Sequence, residues 1–426
     1  MLLEITNDPR PYAWGSRSKM AEFLGRCPSG EPEAELWLGA HPLCPSHIVV
    51  PDAADRHESL DALIAADPVR TLGEDRASDQ LPFLMKVLAV EEPLSLQVHP
   101  DADQAARGYA VESRRGVPST SATRTYKDPR HKPELALALE APFETLVGLK
   151  PSARRRLMLQ ELITRAAHRP RAQQVLTRWA RSLEGACGDR LRCLVGDLLD
   201  AGSAELVEAV TEAVESAIPI EGADPSLQDD LRALARLVTV RPGDPGILAA
   251  VLLNTLSLRE DEAAYVPPGA LHAHLGGLAV EVMAASDNVV RGGLTDKHVD
   301  ARELERIVCA DPLEDPTCRP DRSQPDVAVY RPREPDFELH LVTAPSPAAA
   351  PSTGQGRERE GTVVDLRGPA IALALDGAPR LRGRTQQLEL RRGRALFIAA
   401  DEPALTVSGH GRVALAMAGD MRLRRG

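Results

Sequence analysis

The clearest period-two pattern lies past the middle of the chain, where Leu278, Val280 and Val282 alternate with Ala279, Glu281 and Met283. Such alternation predicts a strand with distinct faces. His272 and His274 stand two apart just before it, so in an extended chain they share a face. Tyr265-Val266 predicts a strand entering the Pro267-Pro268-Gly269 turn, and Ser286-Asp287-Asn288 reads as a turn or loop entry. Earlier, residues 35–39 have strand character, 45–51 frame another short strand, and 60–66 read as a short helix. Residues 81–89 form an apolar strand interrupted by Lys86. In 94–100, Ser95, Gln97 and His99 fall on one face and Leu94, Leu96 and Val98 on the other. A helix over 101–113 and a polar loop over 114–130 then lead through His131-Lys132-Pro133-Glu134 into an apolar strand at 135–139.

Residues 151–240 change period. Leu206, Val210, Val214 and Ile218 recur every four residues, and Gly-rich turn clusters divide the stretch into several helices. Ser152 is expected to cap a helix from Ala153. Asp244-Pro245 is expected to open a last helix running through Leu253-Asn254. Beyond 320 the alternation of Phe337, Leu339 and Leu341 returns the chain to β, with further strands at 388–391, 395–398 and 405–408. Residues 345–361 are a low-complexity loop. The class is therefore mainly β with an α-helical insertion. The expected parts are 1–150 plus 241–325, an inserted helical domain at 151–240, and a C-terminal β domain at 326–426.

Composition narrows the partners. A net charge of −11 and a pI near 5.6 argue against a nucleic-acid or anionic-membrane partner. There is no signal-peptide pattern, and no apolar run approaches the roughly 18 residues of a membrane span. Six cysteines without CxxC spacing suit free thiols in a cytoplasmic protein.

Candidate metal ligands occur in three places: Gln97 with His99, Glu134, and His272 or His274. Two imidazoles, a carboxylate and an amide oxygen suit zinc, and by ligand type also manganese, iron(II), cobalt or nickel. Each residue taken alone reads sooner as a solvated or hydrogen-bonded side chain; their collection on β segments with neighbouring Lys and Arg raises the functional reading. Lys86, Lys132, Arg291 and Lys297 supply cations near this set, as an anionic phosphate requires.

These segments resemble a known family. HAHLGGLAVEVMAASDNVVRGGLTDK (272–297), YKDPRHKPE (126–134) and SLQVHP (95–100) are similar to motifs of the type I mannose-6-phosphate isomerases. RPYAWGS (10–16) and ELWLGAHP (35–42) match the same family, with the central helical insertion in the same place. The resemblance implies a cupin-like jelly-roll catalytic domain and a second, C-terminal jelly roll. It implies one zinc ion per chain on Gln97, His99, Glu134 and His272, and interconversion of mannose 6-phosphate and fructose 6-phosphate through an enediol. Arg291, Asp287, His131, Lys132 and Lys86 are the expected catalytic residues, with Ser95, Lys297 and Glu281 contacting the sugar phosphate. Glu281 reads equally well as an acid–base group or as a partner orienting a ligand or Arg291. A monomer acting on a small molecule is expected. The alternative is a cupin of other specificity, or a non-catalytic one, that binds a sugar phosphate. The chain departs from the family pattern at His274 (usually tyrosine), Asp296 (proline) and Arg130 (asparagine).

Overall fold

In a computed structural model, residues 1–49, 58–74, 80–118, 120–121, 123–199, 203–334, 336–345 and 361–419 are described. The strand that organises the site is His272–Ala284. Its first half pairs antiparallel with Phe143–Leu149, with His272 opposite Val147, and also meets Leu96–Val98, with His272 opposite Gln97. Its second half lies between Phe83–Val90 and Glu134–Ala138. Nine described strands form this sheet.

A register shift between His274 and Gly276 separates the two halves. Gly277 takes φ +112°, and a Cβ there would lie 2.7 Å from the Pro142 carbonyl. The shift is a bulge of the kind that changes which residues share a face.

The helical insertion follows from one strand pair. The chain leaves on Phe143–Leu149 and returns on Leu253–Leu258, and these strands pair from Phe143 with Leu258 to Leu149 with Leu253. Between them run Ser152–Arg165, Pro170–Leu183, Gly188–Leu198, Ala204–Val214 and Gln228–Val240. Each is amphipathic; Pro170–Leu183, for example, buries Val175, Leu176, Trp179 and Leu183. The helical core is continuous with Leu271, Ala273 and Leu275. Those residues alternate with His272 and His274, so one face of the strand packs on helices while the other carries imidazoles.

Several boundaries differ from expectation. Ser152 is the first helical residue, after Pro151, and makes no capping hydrogen bond. The last helix of this region is only Gly246–Leu252, because Leu253 and Asn254 already belong to a strand. Asp244 still accepts from the Gly246 amide at 2.7 Å. The strand expected over 94–100 is only Leu96–Val98, with Ser95 and His99 flanking it. The low-complexity residues 346–360 lie outside the described residues.

A second sheet, of eleven described strands, includes Glu338–Ala344, Ala395–Ile398 and Ala404–Met417. The N-terminal strand Leu2–Thr6 also belongs to it, pairing Leu2 with Ile398 and Ile5 with Ala395. The two β parts share a core in which Phe83 and Leu278 join Leu339, Ile371 and Phe397. No helix is long and apolar enough to cross a membrane among the described residues.

Candidate active site

Cross-strand register gathers the polar residues. Gln97 lies opposite both His272 and Arg291, and directly opposed residues share a face. Trp37, Lys86 and Glu281 form a second row across three adjacent strands. These rows open onto a cleft of about 550 Å³.

Glu134 lines this cleft, and His99 and His272 both face its carboxylate; the three are 3%, 1% and 0% exposed. His99 donates from Nδ1 to the Asn288 carbonyl at 2.8 Å, and His272 donates from Nδ1 to the Ala270 carbonyl at 3.0 Å. A carbonyl can only accept, so Nδ1 carries the proton on each ring, and in the neutral imidazole Nε2 is left with the lone pair that a metal needs. Each Nε2 is buried without a hydrogen-bond donor, yet each faces a Glu134 oxygen at 3.2 Å. Lone pairs facing a carboxylate at that distance repel unless a cation lies between them. Ligands about 2.0–2.2 Å from a tetrahedral zinc are about 3.3–3.6 Å apart, close to the spacing found here. The donor set fits zinc, with Gln97 beside it on the neighbouring strand.

Burial and the Lys132 ammonium push the His99 imidazole down to about 4, which keeps it neutral and ready to ligate. Burial opposes ionisation of Glu134, but the Lys132 ammonium outweighs it and holds the carboxyl well below its usual range. Lys132 Nζ lies 2.9 Å from Glu134 Oε1.

Lys86 resolves the interruption in its apolar strand. Its ammonium is 3.1 Å from Glu281 and 3.8 Å from Glu35, and lies over the Trp37 ring at 5.1 Å. Burial favours the neutral amine, yet the Glu35 and Glu281 carboxylates raise its pKa above the ordinary lysine value. Glu281 falls to about 2, because Lys86 outweighs the burial that would raise it.

Opposite Gln97 on the next strand, the Arg291 side chain makes no hydrogen bond or ion pair among the described residues. Lys297 lies over the Tyr12 ring at 5.9 Å. Burial lowers the pKa of both, and Arg291 adds to the effect on Lys297. Among the described residues neither cation forms an ion pair with a carboxylate, which leaves this part of the cleft open to an anion.

Ser95, Gln97, Lys132, Asp287, Arg291 and Lys297 all line the cleft, as do Lys86, Glu134 and Glu281. His131 does not: it turns toward the other β part, its Nε2 3.0 Å from Asp336. His274 is buried beside Glu281, and ligand atoms of the two lie within 4.8 Å of Glu134.

Sequence reasoning missed Glu35, His41 and Asn288. His41 Nδ1 accepts from the Leu43 amide, and its Nε2 lies 3.4 Å from Asp287. Asn288 donates to the Asp128 and Arg130 carbonyls and accepts from the Lys127 and Asp128 amides, fixing the loop before Glu134. The alternation of Glu35 and Trp37 on a short strand was a usable signal for the first. His41 and Asn288 gain meaning only from partners remote in sequence.

Residues 2–152 match the family described as phosphomannose isomerase type I, catalytic domain. The mannose-6-phosphate isomerase of Escherichia coli (strain K12) is 35% identical over 414 residues, spanning 96% of this chain and 98% of that protein. The chain belongs to the type I mannose-6-phosphate isomerase family. The Homo sapiens mannose-6-phosphate isomerase is 31% identical over 417 residues, covering 92% of each chain. Among solved members of the family, the Salmonella typhimurium enzyme bound to substrate (fructose 6-phosphate) and zinc superposes with a TM-score of 0.82. That match is 30% identical and covers 98% of this chain and 100% of the other.

Proposed function

We propose that this chain is a zinc-dependent isomerase that interconverts mannose 6-phosphate and fructose 6-phosphate. The observation that carries the reading is the pair of buried imidazole Nε2 atoms, each without a hydrogen-bond partner and each facing Glu134, beside a cleft lined by Arg291 and Lys297. His99, Glu134 and His272, with Gln97, would hold one zinc per chain. When bound, zinc supplies a Lewis acid that polarises substrate oxygens.

The remaining chemistry falls to side chains. Arg291 and Lys297 bind the phosphate or the charge developing on the enediolate, with Ser95 as a further contact. Moving a proton between C1 and C2 needs a group of matched pKa in reach of the sugar. Asp287 and Lys132 border the cleft and are placed within reach of a bound sugar. Lys86, kept charged by two carboxylates, suits donation to an oxygen rather than abstraction from carbon. His131, paired with Asp336, suits a tie between the two β parts. Glu281 orients Lys86. The division into 1–150 plus 241–325, 151–240 and 326–426, with a jelly roll in each β part, is supported by the helices inserted in one strand pair. We extend the reading to a cytoplasmic monomer whose partner is a small sugar phosphate and not a nucleic acid.

The test is a coupled assay on purified protein with metal analysis of the same sample. Mannose 6-phosphate should be turned over, and glucose 6-phosphate and free mannose should not. Extensive chelation should abolish activity and zinc should restore it. A fully active metal-free enzyme would overturn the zinc assignment, and preference for another sugar phosphate would favour a cupin of other specificity.

A further inference from the structure

His274, which stands where the family usually has tyrosine, is 1% exposed and engaged on both ring nitrogens. Its Nε2 lies 3.2 Å from Glu281 Oε1, and its Nδ1 lies 2.9 Å from the Thr145 hydroxyl. The ring packs on Phe143 at a centroid distance of 5.2 Å. The other Glu281 oxygen is the one that meets Lys86, at 3.1 Å. A carboxylate only accepts, so Nε2 carries a proton, while the Thr145 hydroxyl lies between Nδ1 and the Ala273 carbonyl, to which it also donates at 3.2 Å.

Glu134, His274 and Glu281 are close enough together to suggest a second cation site. The charges argue otherwise. Lys86 lies against Glu281 and Lys132 against Glu134, so both carboxylates already have ammonium partners. A second dication would stand between two lysines and beside the first metal, at a large Coulombic cost in a buried site.

We infer that His274 is a positioning residue for the isomerisation: with Thr145 it fixes the Glu281 carboxylate, and through Glu281 it holds the Lys86 ammonium in the cleft. This rests on the isomerase reading above. The strand register alone does not fix the carboxylate, because a glutamate side chain has three rotatable bonds. The imidazole on one oxygen and the ammonium on the other leave it a single orientation.

The experiment compares the wild type, His274→Phe, His274→Gln, Thr145→Val and the His274→Phe/Thr145→Val double variant. Zinc content, kinetics on mannose 6-phosphate and crystal structures are read for each. His274→Phe should keep its zinc, lose about tenfold in kcat and change KM little, as expected when a group acts through an oriented neighbour. His274→Gln, which can still donate to Glu281, should recover most of that loss. Thr145→Val should lower kcat alone but add little to His274→Phe. In the His274→Phe crystal structure, Glu281 should leave its present orientation. Loss of zinc from His274→Phe would make His274 a ligand and overturn the inference; so would unchanged kcat, or a Glu281–Lys86 contact that survives intact. An inactive wild type would instead refute the isomerase reading, and the position of Glu281 would still decide the role of His274.

Discussion

At the residue scale, the site is a set of charges whose partners decide their roles. Arg291 is half-buried without a carboxylate, so its guanidinium is reserved for something outside the chain. Arg291→Ala should lower turnover by about a hundredfold or more, in the range of other lost anion-stabilising donors. Its melting temperature should stay near wild type, because no side-chain hydrogen bond or ion pair among the described residues is lost; steady-state kinetics beside thermal melts check both. Glu281 makes a pH prediction. Its folded carboxyl lies near 2, below its ordinary value of 4.5, so the unfolded chain binds the proton more readily. Its contribution to stability is present above about pH 4.5 and is lost as pH falls toward about 2. Metal-free protein should show this loss in its acid melting profile, and Glu281→Gln should flatten it. Lys86 was legible in the sequence because a cation in an apolar run needs a partner. Which carboxylates served it was not legible, since Glu35 and Glu281 lie 51 and 195 residues away.

At the element scale, the decisive feature is the bulge in His272–Ala284. By simple alternation His274 and Glu281 would face opposite sides, since seven residues separate them. The register shift restores a common face, and the two side chains meet at 3.2 Å. Gly276-Gly277 makes the shift possible. Gly277→Ala should destabilise the fold by about 1–3 kcal/mol, the cost of an alanine at positive φ, plus the clash with Pro142. It should also reduce activity more than its melting temperature alone explains; kinetics well below the melting range test this. The alternation of 278–283 predicted the strand correctly. It could not predict the phase relation across two glycines, because a bulge is fixed by the strands on either side.

At the scale of the whole molecule, the helical insertion is tied to the sheet by buried charge. Lys150, at the end of Phe143–Leu149, is 0% exposed and lies 3.0 Å from Asp230, on helix Gln228–Val240. It also donates to the Val251 and Leu253 carbonyls, where the chain returns to the sheet. Lys150→Met should cost about 3–5 kcal/mol, because Asp230 stays buried without that partner. Adding Asp230→Leu should recover much of the loss, as chemical denaturation of the three proteins would read.

The sequence by itself determined the class and the central change from β to α and back, and it marked Gln97, His99, Glu134 and His272 or His274 as candidate ligands. Those features depend on local periodicity and on motifs whose residues are near neighbours. Tertiary structure alone decided that Leu2–Thr6 joins the sheet of the C-terminal part, that His131 turns to Asp336, and that His274 serves Glu281. Each depends on a partner remote in the chain. Pairing across such distances is selected by burial and register in the folded whole, which no local pattern encodes.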